Sequence, residues 1–264
     1  RRYLFIGPHP DDIEIGAGAT AAKLAAAIFF EDETSGSLRA IDVGCDHGKL
    51  AIYLVQSGIC SHVLASDIGE GPLEKAKEAV ARRHFKSEPL ENYITVRQND
   101  GLCGFDDIPA ERIFILGMGG ELIASILERA AFLHDPNRKT VCILQAMTSE
   151  TDLRRYLAAH GFEVLREVLV KDKGRIYSLL ACRYDGKERN MSEAELCVGT
   201  YHVSHPDKEL FLPYIDRKIR ILSKKIAQMT QAGLPCDADK DVLCELQKLR
   251  ETAIRNMQKT ELQD

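Results

Sequence analysis

Residues 38–54, LRAIDVGCDHGKLAIYL, constrain the fold of this chain more than any other stretch. A short apolar run ends in Asp42, a glycine-bearing turn follows, and apolar residues then recur at helical spacing. A strand, tight turn and helix of this kind open a nucleotide-binding α/β sheet. Gly44 lets the backbone turn where a side chain would collide, and Gly48 stands where a ligand could approach the main chain closely. Asp42, at the strand's end, is an acceptor-only anion, better suited to a cationic or donor-rich ligand than to a phosphate. The turn also lacks the G-x-G-x-x-G spacing of a phosphate-binding dinucleotide site. Many βα turns carry such glycines, so this turn alone is weak evidence.

The next carboxylates strengthen it. SHVLASD reads as a second strand ending in Asp67, one helix further on, where an acidic side chain binds ribose hydroxyls. ITVRQ reads as a third strand, followed by Asn99, Asp100, Gly101 and Leu102. In a doubly wound sheet these turns share one edge, so Asp42, Asp67 and Asp100 should converge. Each aspartate singly could be a helix cap or turn former.

Taken in order, DVGCDHGKLAIYLVQSG, ASDIGEGPLEKAKEAV, NDGL, ILGMGGELIASIL and CILQ resemble the bacterial tRNA adenine-N1 methyltransferases of the TrmK type. The resemblance runs from about residue 38 to the C-terminus. Its most specific pieces are D-x-G-x-D-H, D-x-x-x-G-P-L and G-M-G-G. It implies an α/β, class I (Rossmann-like) methyltransferase sheet, S-adenosylmethionine as cofactor, and methylation of adenine N1 in tRNA, of the position-22 type. It implies methionine-side contacts at Asp42, Gly44 and His47, with Asp46 in the same turn, ribose contacts at Asp67, and adenine-side contacts at Asp100 and Gly101. Gly117, Met118, Gly119 and Gly120 would lie where the methyl meets the target base. The family usually has proline where this chain has Ala146, a departure that affects the local backbone.

The first thirty residues carry a different signature. RRYLFIGPHPDDIEIGAGATAAKLAAA, with His9, Asp11, Asp12 and Glu14 in its turn, resembles the opening motif of PIG-L/LmbE zinc N-deacetylases. There the positions matching His9 and Asp12 hold zinc and the one matching Asp11 is the general base. Two ligands do not complete a site, and nothing downstream resembles the rest of that family. His202 and His205 form an H-x-x-H, but they fall in the methyltransferase-like stretch. Residues 1–30 therefore read as a grafted fragment, residues 31–37 as a linker, 38–190 as the cofactor-binding domain, and 191–264 as a helical domain.

Composition is consistent with this reading. The chain has 264 residues and a formal charge of −5, so any RNA contact must come from a local basic surface. No apolar run approaches the roughly 20 residues of a membrane helix, and the alanine-rich lead lacks the flanks of a signal peptide. The eight cysteines show no C-x-x-C or metal-like clustering, which predicts a reduced, cytoplasmic protein. No obligate protein partner is implied.

Further elements follow from periodicity. GPLEKAKEAVARRHF is amphipathic through Leu73, Ala76, Val80 and His84, with Arg82 and Arg83 placed to offset the helix dipole or to meet RNA. Gly117 to Gly120 read as an open βα turn with Met118 as an apolar wall. SETDLRRYLAAHG should be a helix capped by Ser149 or Thr148. FEVLREVLVKDKGRIYSLLACRY reads as an antiparallel hairpin that closes the sheet. Leu212, Ile215, Ile219, Leu222, Ile226 and Met229 form a heptad seam, continued after a Gly/Pro turn by Val242, Leu246, Leu249, Ala253 and Met257. Two such helices make an antiparallel hairpin. Its Arg217, Lys218, Arg220, Lys224 and Lys225 are either a solvated face or the tRNA contact. A zinc deacetylase, a non-catalytic RNA- or cofactor-binding module, and a small-molecule methyltransferase are the alternatives.

Overall fold

The computed structural model describes residues 38–261, so the deacetylase-like motif and the linker lie outside the described residues. The strands are β1 (Leu38–Val43), β2 (Cys60–Asp67), β3 (Ile94–Gln98), β4 (Arg112–Gly119), β5 (Val141–Thr148), β6 (Phe162–Asp172) and β7 (Arg175–Tyr184). They form one seven-stranded sheet in the order β3-β2-β1-β4-β5-β7-β6. The first five are parallel; β7 runs antiparallel to both β5 and β6.

Helices cover both faces, which is why the central strands read as continuous apolar runs. Helices α1 (Lys49–Gln56) and α2 (Glu70–Ala81) bury Leu54, Val55, Leu73 and Val80 against Ala40, Val63 and Phe114. On the opposite face α3 (Gly120–Arg129) and α4 (Glu150–Ala159) bury Ile123, Leu127, Leu153 and Leu157 against Ile41, Ile113, Ile115 and Leu144. Alternate residues of β1 and β4 thus serve two cores, as the period of a strand requires. The order reverses between β1 and β4, so a crevice opens beyond the carboxyl ends of those two strands.

Beyond β7 come short helices α5 (Glu193–Val198) and α6 (Thr200–Ser204), then the long α7 (Phe211–Gln231) and α8 (Asp237–Glu261). Ser192 and Glu195 form a complete capping box at the start of α5. The heptad seam packs as expected: Ile215, Leu246 and Ala253 are buried, with Ile219, Leu222, Val242 and Leu249 beside them. Leu169 of β6 joins the same cluster, tying the hairpin to the sheet.

Several local expectations are corrected. His84 is not on the α2 face; the helix ends at Ala81, and His84 enters a two-residue ribbon paired with Pro89. Arg83 donates to the Ala79 carbonyl and Arg82 pairs with Glu78 beside that helix end, one of the two roles left open for them. Ser149 occupies the N-cap position of α4 but makes no side-chain cap. Its φ of 54° is left-handed, and an N-cap side chain reaches the first turn from extended backbone. Gly117, Met118 and Gly119 are not an open turn: they continue β4, paired irregularly with β5.

Candidate active site

The turn after β1 is held against β2. The N–H groups of Gly44 and Cys45 both donate to the Ser66 carbonyl, at 2.8 and 2.9 Å. Asp46, with φ of 48°, donates its N–H to Asp67 Oδ2 at 3.3 Å. His47 Nε2 lies 3.4 Å from Asp46 Oδ1. Asp46, His47 and Asp67 therefore meet at one corner of the sheet edge, with Asp42 within reach of the Asp67 charge.

Asp42 is 4% exposed, and its Oδ2 has no hydrogen-bond partner. Burial pushes its pKa up to about 7; the Ala51 N–H in the first turn of α1 opposes this and the Asp67 charge adds to it. Part of its role is thus structural, since α1 has no other side-chain cap. The unpartnered oxygen is the other part. A buried carboxylate oxygen without a donor costs free energy unless a ligand supplies one. Cys45, buried beside three carboxylates, has its thiol pushed up to about 12 by burial and those charges, which removes it as a nucleophile.

Asp67 Oδ1 accepts from the Gly69 N–H at 2.9 Å. Asp100 stands further along the same edge, after β3, and is clasped by Arg129 of α3 at 2.7 and 3.1 Å. That bond holds the Asp100 carboxyl below its usual range. The Asp100 side chain thus already has a cation. Gly101 is buried beneath Ile126.

The glycine segment is shaped by neighbours on both sides. A Cβ on Gly44 would collide with the Met118 methyl, so the turn after β1 and the glycine segment touch. A Cβ on Gly120 would collide with the Ser149 carbonyl, so α3 begins against the turn that precedes α4. Gly117 has φ of 78° and open space around it; backbone conformation, not crowding, calls for glycine there.

The basic residues of α7 divide. Lys218 is bound to Glu150 of α4 at 2.7 Å, and Tyr214 donates to the same carboxylate at 2.9 Å. Lys225 is paired with Asp239 of α8 at 2.8 Å. Lys218 is thereby tied to the junction of α7 with α4, while Lys225, still largely exposed, pairs across the hairpin. Arg217, Arg220 and Lys224 are exposed and lie at helical spacing along α7. His202 is buried against Ser178, its pKa lowered to about 3 by burial and the Arg154 charge. His205 is stacked on Tyr201 at the surface, so the H-x-x-H pair does not converge. Among the described residues no group of three His, Cys, Asp or Glu side chains is placed to hold a metal.

Sequence reasoning passed over Arg129, Arg154 and Gln145. Their partners lie 29, 13 and 28 residues away, and no local motif marks them.

A sheet of this order, with carboxylates closing its first two strands and glycines ending the fourth, defines a class I methyltransferase. The chain belongs to the TrmK family, the tRNA (adenine(22)-N(1))-methyltransferases, which matches residues 40–257. It is 30% identical to the tRNA (adenine(22)-N(1))-methyltransferase of Bacillus subtilis (strain 168) over 221 residues, covering 81% of this chain and 85% of that one. The crystal structure of the B. subtilis M1A22 tRNA methyltransferase TrmK is similar at 25% identity and a TM-score of 0.67, covering 92% and 98% of the two chains. A candidate tRNA (m1A22) methyltransferase of Streptococcus pneumoniae, solved with S-adenosyl-L-methionine, matches at 25% identity and a TM-score of 0.68, covering 89% and 98%.

Proposed function

We propose that this chain transfers a methyl group from S-adenosylmethionine to N1 of adenine 22 in tRNA, in the cytoplasm. The observation that carries the reading is Asp42, whose buried, unpartnered Oδ2 closes β1 beside the glycine turn. That donor-seeking oxygen fits the cationic amino group of the cofactor's methionine part. Asp46, His47 and the backbone of Gly44 complete that side, Asp67 takes the ribose, and Asp100 with Gly101 borders the adenine. Asp100, bridged to Arg129, acts there mainly by shaping the loop. When bound, the cofactor supplies an activated methyl on a sulfonium.

Adenine N1 has a free lone pair at neutral pH, so no residue need remove a proton before attack. The chain's work is positioning, exclusion of water and charge stabilisation. Gly117, Met118, Gly119 and Gly120 present backbone and one apolar side chain to the base. The base reaches them flipped or already unstacked. Asp42 and Asp67 place negative potential at the edge where positive charge moves from sulfur to ring. The helical domain, residues 191–264, offers Arg217, Arg220 and Lys224 to the phosphate backbone.

The test is transfer of labelled methyl from S-adenosylmethionine to unmodified bulk tRNA, with nucleoside analysis of the product. The expected product is 1-methyladenosine at position 22. Methyl incorporation at any other atom, or none with folded protein, overturns the reading.

A further inference from the structure

Gln145 sits on β5 beneath the glycine segment, is 2% exposed, and uses its amide in both directions. Pairing between β4 and β5 runs Leu116 with Gln145, then Met118 with Ala146, so Gly117 is an extra residue on β4. Such a bulge leaves its N–H without a ladder partner. The Gln145 side chain replaces that partner: the Gly117 N–H donates to Oε1 at 3.0 Å. Its Nε2 donates to the Ala146 carbonyl at 2.8 Å and to the Met147 sulfur at 3.4 Å. One buried amide therefore holds both the bulge before Met118 and the side chain of Met147.

The consequence lies at the site edge. Met118 is turned against Gly44 of the cofactor turn. Met147 is 43% exposed, near the carboxyl end of β5. Among the described residues six large apolar side chains are well exposed, and Ile68, Leu122 and Met147 all stand at this same sheet edge. A half-exposed methionine whose sulfur is bonded to a buried amide is held in place. Thioethers are polarizable and pack well against aromatic rings.

We infer that Gln145 is a positioning residue for methyl transfer, fixing Met118 and Met147 as two apolar walls that seat the flipped adenine. This rests on the function proposed above. Gln145 touches neither cofactor nor base; it acts through the bulge and the Met147 sulfur.

The test compares the full chain with its Gln145→Leu, Met147→Ala and Met147→Leu variants, measuring kcat and KM on tRNA and cofactor affinity by calorimetry. Gln145→Leu should lower kcat about tenfold or more, the scale expected when a reacting group is misplaced by a fraction of an ångström. Met147→Ala should lower kcat/KM for tRNA by about tenfold, and Met147→Leu should restore most of it. Cofactor affinity should stay within about twofold throughout, a split that general unfolding would not give. Wild-type turnover with all variants unchanged overturns this inference alone. So does a loss of turnover matched by loss of cofactor affinity. A wild type that makes no 1-methyladenosine overturns the function itself. If Gln145→Leu does not fold, Gln145→Glu decides: its carboxylate can still accept from the Gly117 N–H but cannot donate to the Met147 sulfur, and it should lower kcat with cofactor affinity kept.

Discussion

Arg154 of α4 and Glu167 of β6 form a buried ion pair, Nε to Oε1 at 2.9 Å, with side chains only 3% and 1% exposed. The same guanidinium donates to the Leu196 carbonyl at 3.2 Å and to Ser178 Oγ at 3.0 Å. Glu150, one turn earlier on α4, receives Lys218 and Tyr214 from α7. The junction between sheet and helical hairpin thus adds this polar network to the apolar cluster around Leu169.

Removing one partner of such a pair leaves a bare buried charge, at a cost of about 3–5 kcal/mol. Arg154→Met should destabilise the chain by that order in urea unfolding. Arg154→Met combined with Glu167→Leu should recover part of the loss. A double variant as unstable as the sum of the singles would show that the two charges are not coupled.

On the proposed role, Asp42 should link cofactor binding to pH. Its folded-state pKa of about 7 lies above the ordinary 3.8, so between those values the folded chain holds more protons than the unfolded one. Stability of the cofactor-free protein should therefore fall as pH rises from about 4 to 7, with the full cost present above 7. Cofactor affinity should move oppositely, weakening as pH drops below about 7 and the carboxylate is neutralised. Asp42→Asn should flatten the stability profile and abolish measurable cofactor binding. Calorimetry at pH 6 and 8, with denaturation at each, checks both signs.

Gly120 has no room for a side chain, because the Ser149 carbonyl occupies the Cβ position. Gly120→Ala should cost about 1–3 kcal/mol by forcing α3 away from the β5 terminus. Methylation should fall with it, since the glycine segment starts that helix. An unchanged melting temperature would refute the close approach. Gly117→Asn should be milder, as asparagine tolerates left-handed backbone.

Arg217, Arg220 and Lys224 should account for the salt dependence of tRNA binding. Replacing all three by alanine should reduce the slope of log affinity against log salt by about two to three. Lys225→Ala should lower the slope by less than one, because that lysine shares its charge with Asp239. Lys218→Ala should lower stability instead, by freeing the Glu150 carboxylate. Filter binding across a salt series checks the first two cases, and urea unfolding checks the third.

The alternation of strands and helices was legible because both signals are local. The apolar runs ending in Asp42 and Asp67 mark strands that stop at the site edge, and the heptad residues of α7 and α8 repeat at a fixed spacing. The hairpin turn at Lys173 and Gly174, with φ of 46° and 79°, was readable for the same reason. The α4 cap is not legible locally, since Ser149 adopts left-handed backbone where it packs against Gly120, far away in sequence. The apolar spacing alone extends α2 to His84, whereas the chain leaves the helix after Ala81 and pairs His84 with Pro89.

The sequence by itself determined the class of sheet, the edge that carries the carboxylates, and the family, because periodicity and short motifs are properties of neighbouring residues. Tertiary structure alone decided which charges are free to act. That Lys218 meets Glu150 and Asp100 meets Arg129 depends on partners 68 and 29 residues distant. It also decided that Gly117 is a bulge held by Gln145. A backbone N–H must find an acceptor, and which one lies within reach is settled only when the strands are laid side by side.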